Sequence, residues 1–177
     1  MNCNETGRNK TNHITVSFDA ISENEAFARM TVALFMSELN PTISQIDDVK
    51  TAVSEAVTNA IIHGYEMESN ESERVQLQNN IHENVKLNND YIKSEQSEET
   101  PQVHMTCSYT DNCLIVEISD DGVGIKDIQK AMEPLYTSKP ELERSGMGFS
   151  FMEAFMDELS VTSDPGEGTC VRMKKML

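Results

Sequence analysis

Apolar positions recur along the chain at two spacings. His13 to Phe18 alternates apolar and polar residues, the period of a half-buried strand. Val49, Ala52, Val53, Ala56, Val57 and Ala60 fall at helical spacing, which predicts the core stripe of a helix from about Ser44 to His63, stopped by Gly64. Ahead of it, Ser22-Glu23-Asn24-Glu25 has the form of a capping box and predicts a helix running to about Leu39, ended before Pro41. From Met67 to Gln102 the pattern stops. This stretch is rich in Asn, Glu, Ser and Gln, and outside Val75 to Ile92 it is nearly free of large apolar residues. Such composition buries too little surface to offset chain ordering, so a largely mobile insertion is expected. Val75, Leu77, Ile81, Val85 and Leu87 offer it at most a weak helix or strand.

Alternation returns at Val103. Val103 to Tyr109 and Cys113 to Ser119 read as strands joined by an Asp111-Asn112 turn. A glycine-containing loop (Asp120 to Ile125), a short helix (Lys126 to Met132) and a proline-containing loop (Glu133 to Ser145) follow. Gly148 to Glu158 is amphipathic helix, and Leu159 to Ser163 and Thr169 to Lys174 are strands joined by an Asp-Pro-Gly turn.

Composition narrows the class. A chain of 177 residues suggests one domain, with 67–102 inserted in it, long enough to bury a core without metals or disulfides. No run approaches the roughly 18 apolar residues of a membrane span. Met1 to Asn12 is polar, unlike a signal peptide, so a cytoplasmic protein is expected. Cys3, Cys107, Cys113 and Cys170 lack C-x-x-C spacing and read as free thiols. The formal net charge of −16 repels nucleic-acid backbones and favours basic partners, although solubility alone would also account for it.

Four short segments could carry chemistry. Glu55 and Asn59, four apart, share the flank of the apolar stripe. The asparagine carbonyl suits Mg²⁺ and the carboxylate suits a base acting on a hydroxyl, though a solvated pair looks the same. Asp120-Asp121-Gly122-Val123-Gly124 sets a carboxylate at a strand end, an acceptor for the amino group of adenine, beside glycines that permit positive φ. Many tight turns share that pattern. Gly146 and Gly148 open a helix, where backbone N–H groups attract phosphate; a flexible loop reads alike. Neither a Walker loop nor a Rossmann fingerprint is complete there. Thr169, after Gly168, could reach adenine through water.

The order of these segments is more specific than any one of them, and in that order the chain resembles the Bergerat ATPase and kinase superfamily. Ser54 to Glu66 (SEAVTNAIIHGYE), Pro134 to Asp157 (PLYTSKPELERSGMGFSFMEAFMD) and Asn24 to Arg29 further resemble the sporulation anti-sigma factor F family of endospore-forming bacteria. The likeness spans His13 to Glu66 and Val103 to Lys175. The chain departs from it at Met67 to Gln102, where the family usually has only a few residues.

The resemblance implies an α/β two-layer sandwich, with helices on one face of a mixed, mostly antiparallel sheet. It implies a homodimeric serine protein kinase that binds ATP or ADP with Mg²⁺, sequesters a sigma factor and phosphorylates an anti-anti-sigma protein. Glu55 would be the base and Asn59 the Mg²⁺ ligand. Asp120 would read adenine, with Gly122 and Gly124 shaping its pocket and Thr169 behind it. Gly146 and Gly148 would hold phosphates, and Glu133 to Ser145 would form a lid. In that lid, Lys139 and Arg144 would touch the terminal phosphate or else be solvated charges. Arg29 would meet an acidic residue of a partner. Other readings stay open: the related kinase of a general-stress sigma factor, or a nucleotide-gated sigma-binding module without useful phosphotransfer. A histidine-kinase catalytic domain fits less well, for want of a preceding helix with a phosphoacceptor histidine.

Overall fold

The alternating segments become five strands in the computed structural model, which describes residues 11–65, 100–136 and 146–177. They are β1 (Thr11–Asp19), β2 (Gln102–Thr110), β3 (Cys113–Asp120), β4 (Glu158–Ser163) and β5 (Thr169–Met176). They lie in the order β1-β2-β3-β5-β4, and each neighbouring pair is antiparallel. The described sheet therefore contains none of the parallel pairs that a mixed sheet allows. The helices are α1 (Glu23–Met36), α2 (Ile43–Asn59), α3 (Ile128–Ala131) and α4 (Gly148–Phe155).

One face of the sheet is apolar and covered. Val103, Met105, Cys107 and Tyr109 of β2, Leu114, Val116 and Ile118 of β3, and Val171 and Met173 of β5 are buried while their neighbours are not. Against them pack Ala28, Val32, Phe35 and Met36 of α1 and the Val49, Ala52, Val53, Ala56, Val57 stripe of α2. This is the predicted two-layer arrangement. Asp120 has the same strand parity as Leu114, Val116 and Ile118, so the pleat turns its carboxylate toward the helices at the end of β3.

The helix starts differ from expectation. Ser22 is the N-cap of α1, yet its backbone is helical (φ −59°, ψ −30°) and its side chain makes no capping bond. The expected capping box does not form, because Glu25 is engaged elsewhere. Its carboxylate accepts a hydrogen bond from Ser54 Oγ on α2, and Arg29 Nε lies 3.6 Å from the same oxygen. The box appears instead at α2. Thr42 has an extended backbone (φ −70°, ψ 160°), its hydroxyl accepts from Gln45 N at 3.2 Å, and its own N–H donates to Gln45 Oε1 at 2.8 Å. This box starts α2 at Ile43.

Further boundaries move, and the helix expected over Gly148 to Glu158 ends at Phe155, with Glu158 starting β4. The predicted α-helix to His63 ends at Asn59 and continues as a π turn, Ala60–Gly64. Strand β2 begins at Gln102, and Pro101 O accepts from Ala20 N at 2.8 Å. The last residues assigned to the 67–102 insertion therefore belong to the fold. The rest of that stretch, with its Val75-to-Leu87 apolar positions, lies outside the described residues. No helix among the described residues is long and apolar enough to cross a membrane.

The two caps should separate in a stability measurement. Thr42→Ala should lose about 0.5–2 kcal/mol, whereas Ser22→Ala should stay within about 0.5 kcal/mol of the unmodified protein. Urea unfolding followed by circular dichroism would show this. Equal losses would restore a cap at Ser22.

Candidate functional site

A cavity of about 490 Å³ opens between the end of α2, the loop after β3, α3 and the start of α4. That size suits a nucleotide-sized ligand. Asn59, Asp120, Gly124, Gly146, Gly148 and Thr169 all line it. Residues far apart in sequence thus meet at one site.

Asp120 forms its floor. It is 5% exposed, the only charged side chain buried among the described residues. Gly122 N donates to its Oδ1 at 3.0 Å, and the Thr169 amide donates to the same carboxylate. Burial raises the Asp120 pKa above its ordinary 3.8; these two amides oppose the rise, and the Asp121 charge adds to it. A carboxylate held this way accepts hydrogen bonds from a ligand and offers none while ionised.

Close backbone contacts make the room. A Cβ on Gly64 would stand 2.7 Å from Asp120 Oδ1, and a Cβ on Gly122 would stand 1.8 Å from the Gly64 carbonyl oxygen. That carbonyl accepts from Val123 N at 2.7 Å, tying the π turn to the loop. Of the two loop glycines only Gly124 needs positive φ (69°); Gly122 is required by proximity. Behind the loop, Ser163 Oγ accepts from Ile125 N at 2.8 Å, donates to Gly168 O at 2.7 Å and lies 2.9 Å from Thr169 Oγ1. The Thr169 hydroxyl is thus bonded to its own sheet. Tyr65 closes the other side: its hydroxyl donates to Gln102 O and accepts from Asp121 N at 3.0 Å.

The opposite wall joins α2 to α4. A Cβ on Gly148 would lie 3.2 Å from Glu55 Oε2 and 3.3 Å from Asn59 Nδ2, so the α4 entrance sits against both side chains. No side chain caps the first turn of α4. Its amides and the helix dipole suit an anion. Asn59 Oδ1 is buried without a hydrogen-bond partner. A buried carbonyl oxygen left unpaired costs about 1–3 kcal/mol, so a ligand that satisfies it gains correspondingly. It is a hard oxygen donor of the kind Mg²⁺ takes. Among the described residues no three His, Cys, Asp or Glu side chains cluster to hold a metal by themselves.

A model of the histidine kinase-like ATPase domain matches residues 18–175. The chain is also 48% identical over 164 residues to the anti-sigma F factor of Clostridium acetobutylicum, covering 93% of each chain. To that of Shouchella clausii it is 46% identical over 166 residues, covering 94% of this chain and 93% of the relative. To that of Bacillus subtilis it is 42% identical with the same coverage. The chain belongs to the anti-sigma F factor family. Its histidine kinase-like ATPase domain accounts for an α/β layer with a cavity at the sheet's end.

Not every expected residue lies on this family's cavity. Arg29 sits on α1 away from it, Gly122 supports the loop from behind, and Glu55 lies against Gly148 at the α4 entrance without lining the cavity. Lys139 and Arg144 lie outside the described residues. Sequence reasoning missed Gly64, Tyr65 and Ser163, which fix the loop, and Lys126 and Lys130, which line the wall. Its sequence position marks Gly64 only as a helix stop. Nothing local marks it as the neighbour of Asp120.

Gly122→Ala should drive a methyl into the Gly64 carbonyl. Overpacking of this sort costs about 1–3 kcal/mol, or roughly 2–4 °C of Tm per kcal/mol at this size. An unchanged Tm by calorimetry would contradict the contact. The raised Asp120 pKa has a signed consequence. Burial favours the protonated form in the folded state. The resulting cost to stability is absent below the unfolded-state pKa and grows as pH rises through the folded-state value. Asp120→Asn should therefore gain on the unmodified protein across that window in urea unfolding. A stability difference independent of pH would contradict it.

Proposed function

We propose that this chain is an ATP-dependent serine protein kinase and anti-sigma factor, acting in the cytoplasm as a homodimer. In this reading it sequesters a sporulation sigma factor and phosphorylates an anti-anti-sigma protein. The observation that carries the proposal is one cavity bordered by the buried Asp120 carboxylate, the unpaired Asn59 Oδ1 and the glycine entrance of α4. The family membership supports the sigma-factor part of this reading: relatives with 42–48% identity are named anti-sigma F factors.

Asp120 would accept a hydrogen bond from the amino group of adenine, with Gly124 and the Thr169 strand end beside the ring. Guanine carries a carbonyl at that place and would face the carboxylate acceptor to acceptor. The amides at Gly146 and Gly148 would hold the phosphates. Asn59 Oδ1 would hold Mg²⁺, whose charge would offset that developing on the phosphates. Glu55 is one helical turn from Asn59 and next to the α4 entrance. It would take the proton from the substrate serine as its oxygen bonds to the terminal phosphorus. The bond from that phosphorus to the bridging oxygen breaks and ADP leaves. The phosphoserine adds about −1.5 to −2 charges, and a protein of net charge −16 would repel that product. Lys139 and Arg144 remain candidates for the terminal phosphate.

Arg29 is the proposed partner contact. Its side chain is 39% exposed and held near Glu25. On the same helix Phe27, Met30 and Leu34 are exposed to 52%, 61% and 76%, apolar surface that a docked protein would cover.

Two substitutions on α2 test the mechanism. Glu55→Gln should still bind Mg-ATP and retain a sigma factor but lose about 10²- to 10⁴-fold in phosphorylation of the anti-anti-sigma protein. Asn59→Ala should lose Mg-ATP binding and ATP-dependent sigma capture together. Single-turnover assays with labelled ATP, alongside calorimetry, read both. Normal phosphorylation by Glu55→Gln would remove Glu55 as the base. If the unmodified protein captures sigma with ATP but transfers no phosphate, the chain is a nucleotide-gated binding module.

A further inference from the structure

Two ammonium groups line the cavity without an ion-pair partner among the described residues. Lys126 follows the loop after β3, Lys130 lies four residues on in α3, and both belong to the cavity wall. The carboxylate between them, Asp127, is turned to the helix backbone, where its Oδ1 accepts from Lys130 N at 3.0 Å. Among the described residues no carboxylate pairs with Lys126 or Lys130, whereas Lys50, Arg172, Lys174 and Lys175 each have one. In a chain of net charge −16, two unpaired cations on one cavity wall are an exception that calls for an anion.

The position of Lys130 says which anion. Its Nζ stands 5.2 Å from the centre of the Tyr136 ring, which also lines the cavity. Tyr136 adjoins Leu135, and Leu135 N donates to Gly146 O at 2.9 Å. That chain of contacts sets Lys130 beside the glycine turn that opens α4, the end of the cavity suited to phosphate. Neither lysine belongs to the motifs on which the family resemblance rests.

We infer that Lys126 and Lys130 form a cationic rim that binds the phosphate chain of the nucleotide, separately from any lid residue. The inference rests on the nucleotide reading above and adds to it a part of the site that determines affinity. Ammonium groups act on phosphate as mobile point charges, so the contact has weak geometry and strong dependence on salt.

Calorimetric titrations with ATP and with adenosine test it. The double variant Lys126→Gln, Lys130→Gln should bind ATP about three- to thirty-fold more weakly at low salt, with adenosine unchanged. The gap should narrow as salt is raised. Lys126→Arg, Lys130→Arg should recover most of the ATP affinity, which excludes misfolding as the cause. Unchanged ATP affinity in the Gln variant, or an equal loss for adenosine, overturns the rim. If the unmodified protein binds neither ligand, the nucleotide reading fails first and the rim with it.

Discussion

Gly64 and Gly122 let the end of the π turn touch the loop after β3, backbone to backbone, and the rest of the cavity is hung from that contact. The Gly64 carbonyl takes the Val123 N–H at 2.7 Å; the Cβ missing from Gly122 leaves room for the Gly64 backbone, and the one missing from Gly64 leaves room for the Asp120 carboxylate. With the loop so close, the Asp120 carboxylate can be buried and still bonded by two amides. A side chain at either position would push α2 away from β3. It would then separate Asn59 from Asp120, the two groups that the proposed nucleotide site uses.

The π turn belongs to the same constraint. An α-helix continued past Asn59 would carry each later residue round by an ordinary step. The wider turn delivers Gly64 to Asp120 while Asn59 stays on the cavity wall with its Oδ1 unpaired. Single π turns inside α-helices often mark functional positions, and here the reason is geometric. The turn converts one helix face into two adjacent contacts, a polar one into the cavity and a backbone one to the loop.

The charge balance of the chain works against its own ligand. A protein of net charge −16 repels a polyphosphate at long range. In the proposed reading, binding would rely on short-range features: amides at a helix entrance, the Asn59 Oδ1 left without a hydrogen-bond partner, and two lysines without carboxylate partners among the described residues. The same acidity leaves a strong field for basic surfaces of a protein partner, with Arg29 as a local exception on α1.

The sequence by itself determined the layers, the strand parity and the order of the chemical segments. Apolar spacing in α2 and alternation in β3 and β5 are local consequences of burial. They place Glu55 and Asn59 on a flank and turn Asp120 inward without reference to distant residues. The capping at Ser22 was read wrongly because a cap is local only when no better partner competes, and Ser54 on another helix was that partner. The tertiary structure alone decided the π turn, the meeting of Gly64 with Gly122 and the placing of Lys126 and Lys130 on the wall. Each of these depends on how closely two separate segments approach, and no pattern within one segment encodes that distance.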